Sequence, residues 1–195
     1  MEVHPSVPVA TGLELIAYAK ANPNKLNMGS PGSGTGPHMA GELFKLMTGV
    51  RAIHVPYRGS APMLNDLLGG QVQFAFDGIA SSIGHIRAGR LRALGVGNAT
   101  RVEALPDVPA VAEFVPGYEA GGTQGVGVPR KTSAEIIEKL NREINAGLAD
   151  PTMRARITDL GNTPLALSPA EYGKLLVEET EKWGKVVKFA GIKPE

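Results

Sequence analysis

Between about residue 10 and residue 118, short apolar runs of strand length alternate with helix-length amphipathic segments, and this alternation restricts the fold more than any other feature. The runs fall at 26–29, 52–55, 72–76 and 91–96, and the helical patterns at about 12–22, 37–48, 60–69 and 79–89. Strand and helix in strict alternation predict a parallel sheet with right-handed crossovers. The runs are too short and too apolar for exposed ribbons, so both sheet faces should be covered. The fold class expected is α/β.

Helix starts are legible. Thr11-Gly12-Leu13-Glu14, Thr132-Ser133-Ala134-Glu135 and Ser168-Pro169-Ala170-Glu171 each fit the reciprocal capping pattern of hydroxyl and carboxylate. Pro169 falls at a first helical position, where its missing N–H costs nothing, and Asp150-Pro151 repeats that signal. The last helix carries Tyr172, Leu175, Leu176, Trp183, Val186, Val187 and Ala190 as an apolar stripe. After Leu105-Pro106-Asp107-Val108-Pro109 the alternation stops. One strand candidate (125–128) and three helical patterns follow, which divides the chain into an α/β lobe, 10–118, and a strand plus helices, 119–195.

Several function classes are disfavoured at once. Twenty basic residues face nineteen acidic ones with few aromatics and no basic cluster, which argues against nucleic acid as a partner. No stretch approaches the ~20 apolar residues of a membrane span. The chain has no cysteine, so thiolate chemistry, disulfides and zinc-thiolate sites are excluded. Four histidines show no metal-ligand spacing, and no cofactor motif is present; the expectation is no catalytic residue, no metal and no cofactor. The start, Met1-Glu2-Val3-His4-Pro5, has neither a basic region nor an apolar core, so the chain as written carries no export signal.

The sharpest local feature is Gly29-Ser30-Pro31-Gly32-Ser33-Gly34-Thr35-Gly36-Pro37-His38, which follows a strand run and opens a helix. Unpaired N–H groups and the positive dipole end at a helix start suit an anion, and glycine lets it approach the backbone. The hydroxyls of Ser30, Ser33 and Thr35 add donors, so a carboxylate site is one reading; a flexible connection whose hydroxyls only cap the helix is the other. A nucleotide is disfavoured, because no Lys-Ser/Thr follows the glycines and their spacing is not the dinucleotide one. A Ser33–His38–Asp77 triad lacks the nucleophile turn, since position 31 is proline. Asp77 closes a strand run before Gly78, where open α/β sheets bind ligands; it receives an ammonium or hydroxyl there, or caps the next helix. Tyr57 and Arg58 line a cleft or face solvent.

A series of segments carries a family resemblance. Gly29–Pro37 with His38-Met39-Ala40-Gly41-Glu42-Leu43-Phe44, then His54-Val55-Pro56-Tyr57-Arg58-Gly59, Asp66-Leu67-Leu68-Gly69-Gly70-Gln71-Val72 and Phe76-Asp77 occur in order. Leu91-Arg92-Ala93-Leu94, Leu105–Pro109, Pro116-Gly117-Tyr118-Glu119, Trp183–Val187 and Ala190-Gly191-Ile192-Lys193 follow. Together they resemble the Bug receptors, the substrate-binding receptors of tripartite tricarboxylate transporters.

The resemblance implies a periplasmic-binding-protein-like fold of type II, with 10–118 as the complete second lobe and 119–195 as the C-terminal part of the first. It implies a non-catalytic receptor for small carboxylates, organic acids or acidic amino acids, that serves membrane transporter components. The ligand residues it implies are Ser30, Ser33, Gly34, Thr35 and His38 around the loop, with Asp77 selecting the distal part of the ligand. Arg58 stands where lysine is usual and keeps the charge. Family members begin with a signal peptide and most of the first lobe, so the location implied is periplasmic, or cytoplasmic if the chain as written is the complete product. An incomplete lobe would also favour self-association. The competing class is a remnant or interaction domain that keeps the fold without transport-linked binding.

Overall fold

The computed structural model describes residues 1–192; Lys193, the last residue of the resemblance, lies outside them. Five strands form one sheet: β1 (Glu2–Val3), β2 (Asn27–Ser30), β3 (Ile53–Pro56), β4 (Phe74–Ala75) and β5 (Arg92–Ala93). Four helices connect or follow them: α1 (Gly12–Ala21), α2 (Gly36–Thr48), α3 (Ser60–Leu68) and α4 (Ile79–Arg87). A 3-10 turn, Val111–Glu113, and three further helices follow among the described residues: α5 (Ala134–Ala149), α6 (Pro151–Asp159) and α7 (Pro169–Ala190).

The sheet order is β3-β2-β4-β1-β5. β2 runs parallel to β3 and β4, as the alternation predicts, but β1 lies between β4 and β5 and is antiparallel to both. The α/β class therefore stands with a mixed sheet in place of a wholly parallel one. Two residues are too few to show an alternation, so β1 leaves no periodic signal. Its neighbours Val7 and Val9 are buried with Val3 in the main core, so residues before position 10 belong structurally to this sheet.

Side chains alternate across the sheet. On one face Val3, Met28, Phe74, Phe76 and Leu94 meet α1 and α2 through Leu15, Ala19, Leu43 and Phe44. On the other, Ala75 and Leu91 meet Met63, Leu64 and Leu67 of α3, with Ile86 of α4 beside them. The sheet is covered on both sides, as its apolar runs require.

A side chain caps the helix start at three places, but only Ser168–Glu171 is fully reciprocal, since the Glu14 carboxylate accepts from the Ala10 N–H and not from that of Thr11. Thr11 Oγ1 accepts from the Glu14 N–H, Asp150 Oδ1 from the Met153 N–H, and Ser168 and Glu171 cap each other reciprocally. At Thr132–Glu135 the helix begins one residue later, with Ser133 at the cap making no side-chain bond. Glu135 then sits at the second helical position instead of the third, which removes the reciprocal geometry.

The strand expected at 125–128 does not form. Val126 and Val128 are exposed and belong to no strand, and no described strand pairs with them. α7 docks on α2 through buried Val186, with Trp183 and Val187 against the core. α5 buries no residue, and Ile136, Leu140 and Ile144, spaced at successive turns, are 53 %, 38 % and 39 % exposed. Amide exchange should therefore be roughly a hundredfold faster in α5 than in the central strands and α2. Uniform protection across both in a protein shown to be monomeric by light scattering would mean that α5 is firmly packed.

Candidate functional site

Parallel pairing aligns Met28 with Phe74 and Gly29 with Ala75. Ser30 and Asp77 therefore leave the sheet at the same edge, on adjacent strands. β3 ends there too, and antiparallel β1 brings its first residue, Glu2, to that edge. Four segments converge there: the 31–35 loop, 57–59 before α3, Asp77-Gly78 before α4, and the start of β1. This is the carboxyl end of the parallel strands, where open α/β sheets take ligands.

The 31–35 loop is closed largely on itself. Ser30 is fully buried, and its hydroxyl lies 2.7 Å from His54 Nε2 while accepting the Gly32 N–H at 3.3 Å. Thr35 is the N-cap of α2: its hydroxyl donates to the Gly32 carbonyl at 2.7 Å and accepts the His38 N–H at 3.4 Å. The Gly34 N–H donates to His38 Nδ1 at 2.9 Å, so that ring nitrogen carries no proton. Gly34 has φ +73°, a left-handed conformation that favours glycine, and a Cβ there would meet nothing within 4 Å. Gly34 and Ser33 thus form the open lip of the loop, and among the described residues the Ser33 hydroxyl has no hydrogen-bond partner.

His38 is buried and its ring stacks on His54, with centroids 3.7 Å apart and planes 8° from parallel. Burial, and then the neighbouring His38, push His54 down to about 4, so His54 is neutral near pH 7. His38 Nε2 lies 3.7 Å from Glu42 Oε1, which Lys45 Nζ reaches at 2.8 Å. Burial alone would raise the Glu42 carboxyl, but the nearby His38 ring and the Lys45 ammonium, which donates to it, outweigh burial and hold Glu42 below its ordinary value. A polar chain from Lys45 through Glu42, His38 and His54 to Ser30 thus braces the underside of the loop.

Asp77 takes Ser60 Oγ–H on Oδ1 at 2.7 Å and Ser82 Oγ–H on Oδ2 at 3.5 Å. Burial raises its carboxyl above the ordinary range, against the lowering effect of Ser60, the Gly78 N–H, the Met1 amino group and Ser82. Tyr57 donates to Asp66 at 2.7 Å and so faces its own helix, while Arg58 is exposed.

The sequence reading missed His54, Ser60, Ser82 and Glu2 at this edge. Ser60 carried a usable signal, since it opens the helix after β3 just as Thr35 precedes the one after β2. Glu2 carried none beyond being an acid next to an apolar residue. A shallow hollow between α2 and α7, lined by Leu43, Leu46, Lys182 and Val186, is not at the sheet edge.

No described helix is long and apolar enough to cross a membrane. The family described as tripartite tricarboxylate transporter family receptor matches residues 1–192. Among solved structures, the chain is similar to Rpa4515 of R. palustris with adipate, at 39 % identity and TM-score 0.89, covering 100 % of this chain and 65 % of that one. It is similar to the periplasmic binding protein BugD, at 29 % identity and TM-score 0.80, covering 100 % and 66 %. A third likeness is to MatC from Rhodopseudomonas palustris with bound malate, at 28 % identity and TM-score 0.79, covering 95 % and 65 %. The chain spans about half the length of the curated relatives that lead its matches, 52 % to 55 %. Its fold is that of the periplasmic binding proteins, and the chain belongs to the tripartite tricarboxylate transporter receptor family.

Proposed function

We propose that this chain is the ligand-binding lobe, with part of its companion lobe, of a periplasmic receptor that captures small carboxylates for a tripartite tricarboxylate transporter. Residues 10–118 with β1 make the binding lobe, and 119–195 belong to the other. The observation that carries the reading is the meeting, at one sheet edge, of a glycine loop before a helix with a half-buried carboxylate, in a family whose solved neighbours hold adipate and malate. Ser30, Thr35 and His38 shape the loop; Ser33 presents its hydroxyl to one carboxylate and Gly34, without a side chain, lets that carboxylate approach; Asp77 meets the far end of the ligand. The role is capture and delivery, without catalysis and without a cofactor.

A second reading, an interaction domain without transport-linked binding, draws on the exposed face of α5 and on loop donors already engaged within the loop. Calorimetric titration separates the two. One lobe supplies roughly half the contacts of a closed receptor, and half of a micromolar binding energy corresponds to roughly millimolar affinity. Saturable binding of a small monocarboxylate such as 4-hydroxybutanoate in that range is expected. Absence of saturable binding together with concentration-dependent dimers through α5 would support the second reading instead.

A further inference from the structure

Glu2 has an environment that its position near the chain start does not announce. It pairs with Ala75 on one side and Ala93 on the other, in the middle of the sheet. Side chains alternate along a strand, so Glu2, Ala75 and Asp77 project to the same face, opposite Val3, Phe74 and Phe76. That face is covered by α3 and α4, the helices that supply Ser60 and Ser82 to Asp77. Glu2 is 3 % exposed, and its Oε1 is buried with no hydrogen-bond partner. An unpartnered buried carboxyl oxygen is costly, and it sits beside a second carboxylate at the ligand edge.

We propose that Glu2 is a specificity-determining residue of this site, a second carboxyl beside Asp77 that makes the distal end accept an ammonium or hydroxyl and reject a bare second carboxylate. The proposal rests on the carboxylate-receptor reading above and deepens it. The hydrogen bonds to Asp77 come from neutral donors, two serine hydroxyls and the Gly78 N–H; the Met1 amino group acts on Asp77 and Glu2 only through space, and among the described residues no salt bridge reaches either. A ligand ammonium or hydroxyl would supply the missing donor. A ligand carboxylate would meet like charge at short range, an arrangement that discriminates strongly between partners.

The charge of the pair is itself adjustable. Burial first, and the charge of Asp77 in addition, push the Glu2 carboxyl up to about 7, while the Met1 amino group and Ser82 act the other way. That amino group donates to the Gly95 carbonyl and is itself lowered by burial. The helices over this face bring Ser60, Ser82 and, one turn further along α4, His85, whose Nδ1 is also buried without a partner. Below about pH 7 the Glu2 carboxyl is mainly protonated, and above it Glu2 adds a negative charge beside Asp77.

The test uses the full chain and three probes sharing one carboxylate: 4-aminobutanoate, 4-hydroxybutanoate and succinate. At pH 8 the first two should bind at least tenfold more tightly than succinate. That preference should shrink as pH falls to 6 in the unmodified protein, a measurement that needs no variant. In Glu2→Gln, checked for folding by circular dichroism, the ratio should narrow to within about threefold, mainly through better succinate binding, and lose its pH dependence. Binding of all three with a ratio that neither Glu2→Gln nor pH alters overturns the proposal and leaves the receptor reading intact. Failure of all three to bind overturns both.

Discussion

Phe44→Ala should lower the free energy of unfolding by about 3–5 kcal/mol, a large part of the ~5–15 kcal/mol that holds a domain folded. Phe44 is 0 % exposed and stands where three parts of the chain meet. Its ring lies 5.7 Å from that of Phe76, tilted by 53°, and 6.4 Å from that of Tyr118, edge-on at 84°. Phe76 follows β4, and Tyr118 ends the segment that returns from the 3-10 turn. The Tyr118 hydroxyl donates at 2.9 Å to the carbonyl of Ala40, one turn before Phe44 on α2. Removing the ring opens a cavity that these anchored neighbours cannot readily fill, so the loss should sit at the upper end for a large-to-small change. Urea titration should show a lower midpoint with an unchanged slope. A loss below about 1 kcal/mol would mean that the site collapses or that this junction is loosely packed.

The main elements were legible because their signals are local. A 3.6-residue stripe, a capping residue and a following proline lie within a few positions of one another, and the helices expected at 37–48, 60–69 and 79–89 appear as Gly36–Thr48, Ser60–Leu68 and Ile79–Arg87. Strands were legible only as buried apolar runs. Such a run reports burial and leaves open how many residues pair, so 91–96 contains the two-residue β5 and then an isolated bridge from Val96 to Ala110. The same limit explains 125–128: Gly125-Val126-Gly127-Val128 has strand composition, but a strand also needs a neighbour.

The site divides along the same line. That Ser30 and Asp77 share an edge follows from two parallel strands, which the alternation predicts. That Thr35 caps α2 follows from its place before a helix. Which partners these groups meet was not legible, because the partners come from other strands. His54 reaches Ser30 from β3, Ser60 reaches Asp77 from α3, and Glu2 arrives by a strand that runs the opposite way. Register across a sheet is a non-local fact, and one antiparallel strand of two residues decides which side chain stands beside Asp77.

That strand also leads to the second large effect, a stability that depends on pH through Glu2. Burial pushes the Glu2 carboxyl from 4.5 up to about 7. Between those values the folded chain keeps a proton that the unfolded chain has lost. Stability is therefore fully present below about pH 4.5, falls as pH rises through the window, and levels off above about 7. At ~1.4 kcal/mol per unit the loss amounts to roughly 3 kcal/mol. Asp77, also raised by burial, acts in the same direction, while the Met1 amino group, lowered by burial, acts oppositely as it loses its proton. Comparing the unmodified chain with Glu2→Gln at each pH removes what the two proteins share and isolates Glu2. Glutamine keeps the shape of protonated glutamate and cannot ionise, so the two proteins should be similarly stable near pH 4.5. At pH 8 the variant should be more stable by roughly 3 kcal/mol. Urea midpoints measured across that range give the difference directly, and two parallel curves would show that Glu2 keeps an ordinary carboxyl inside the fold.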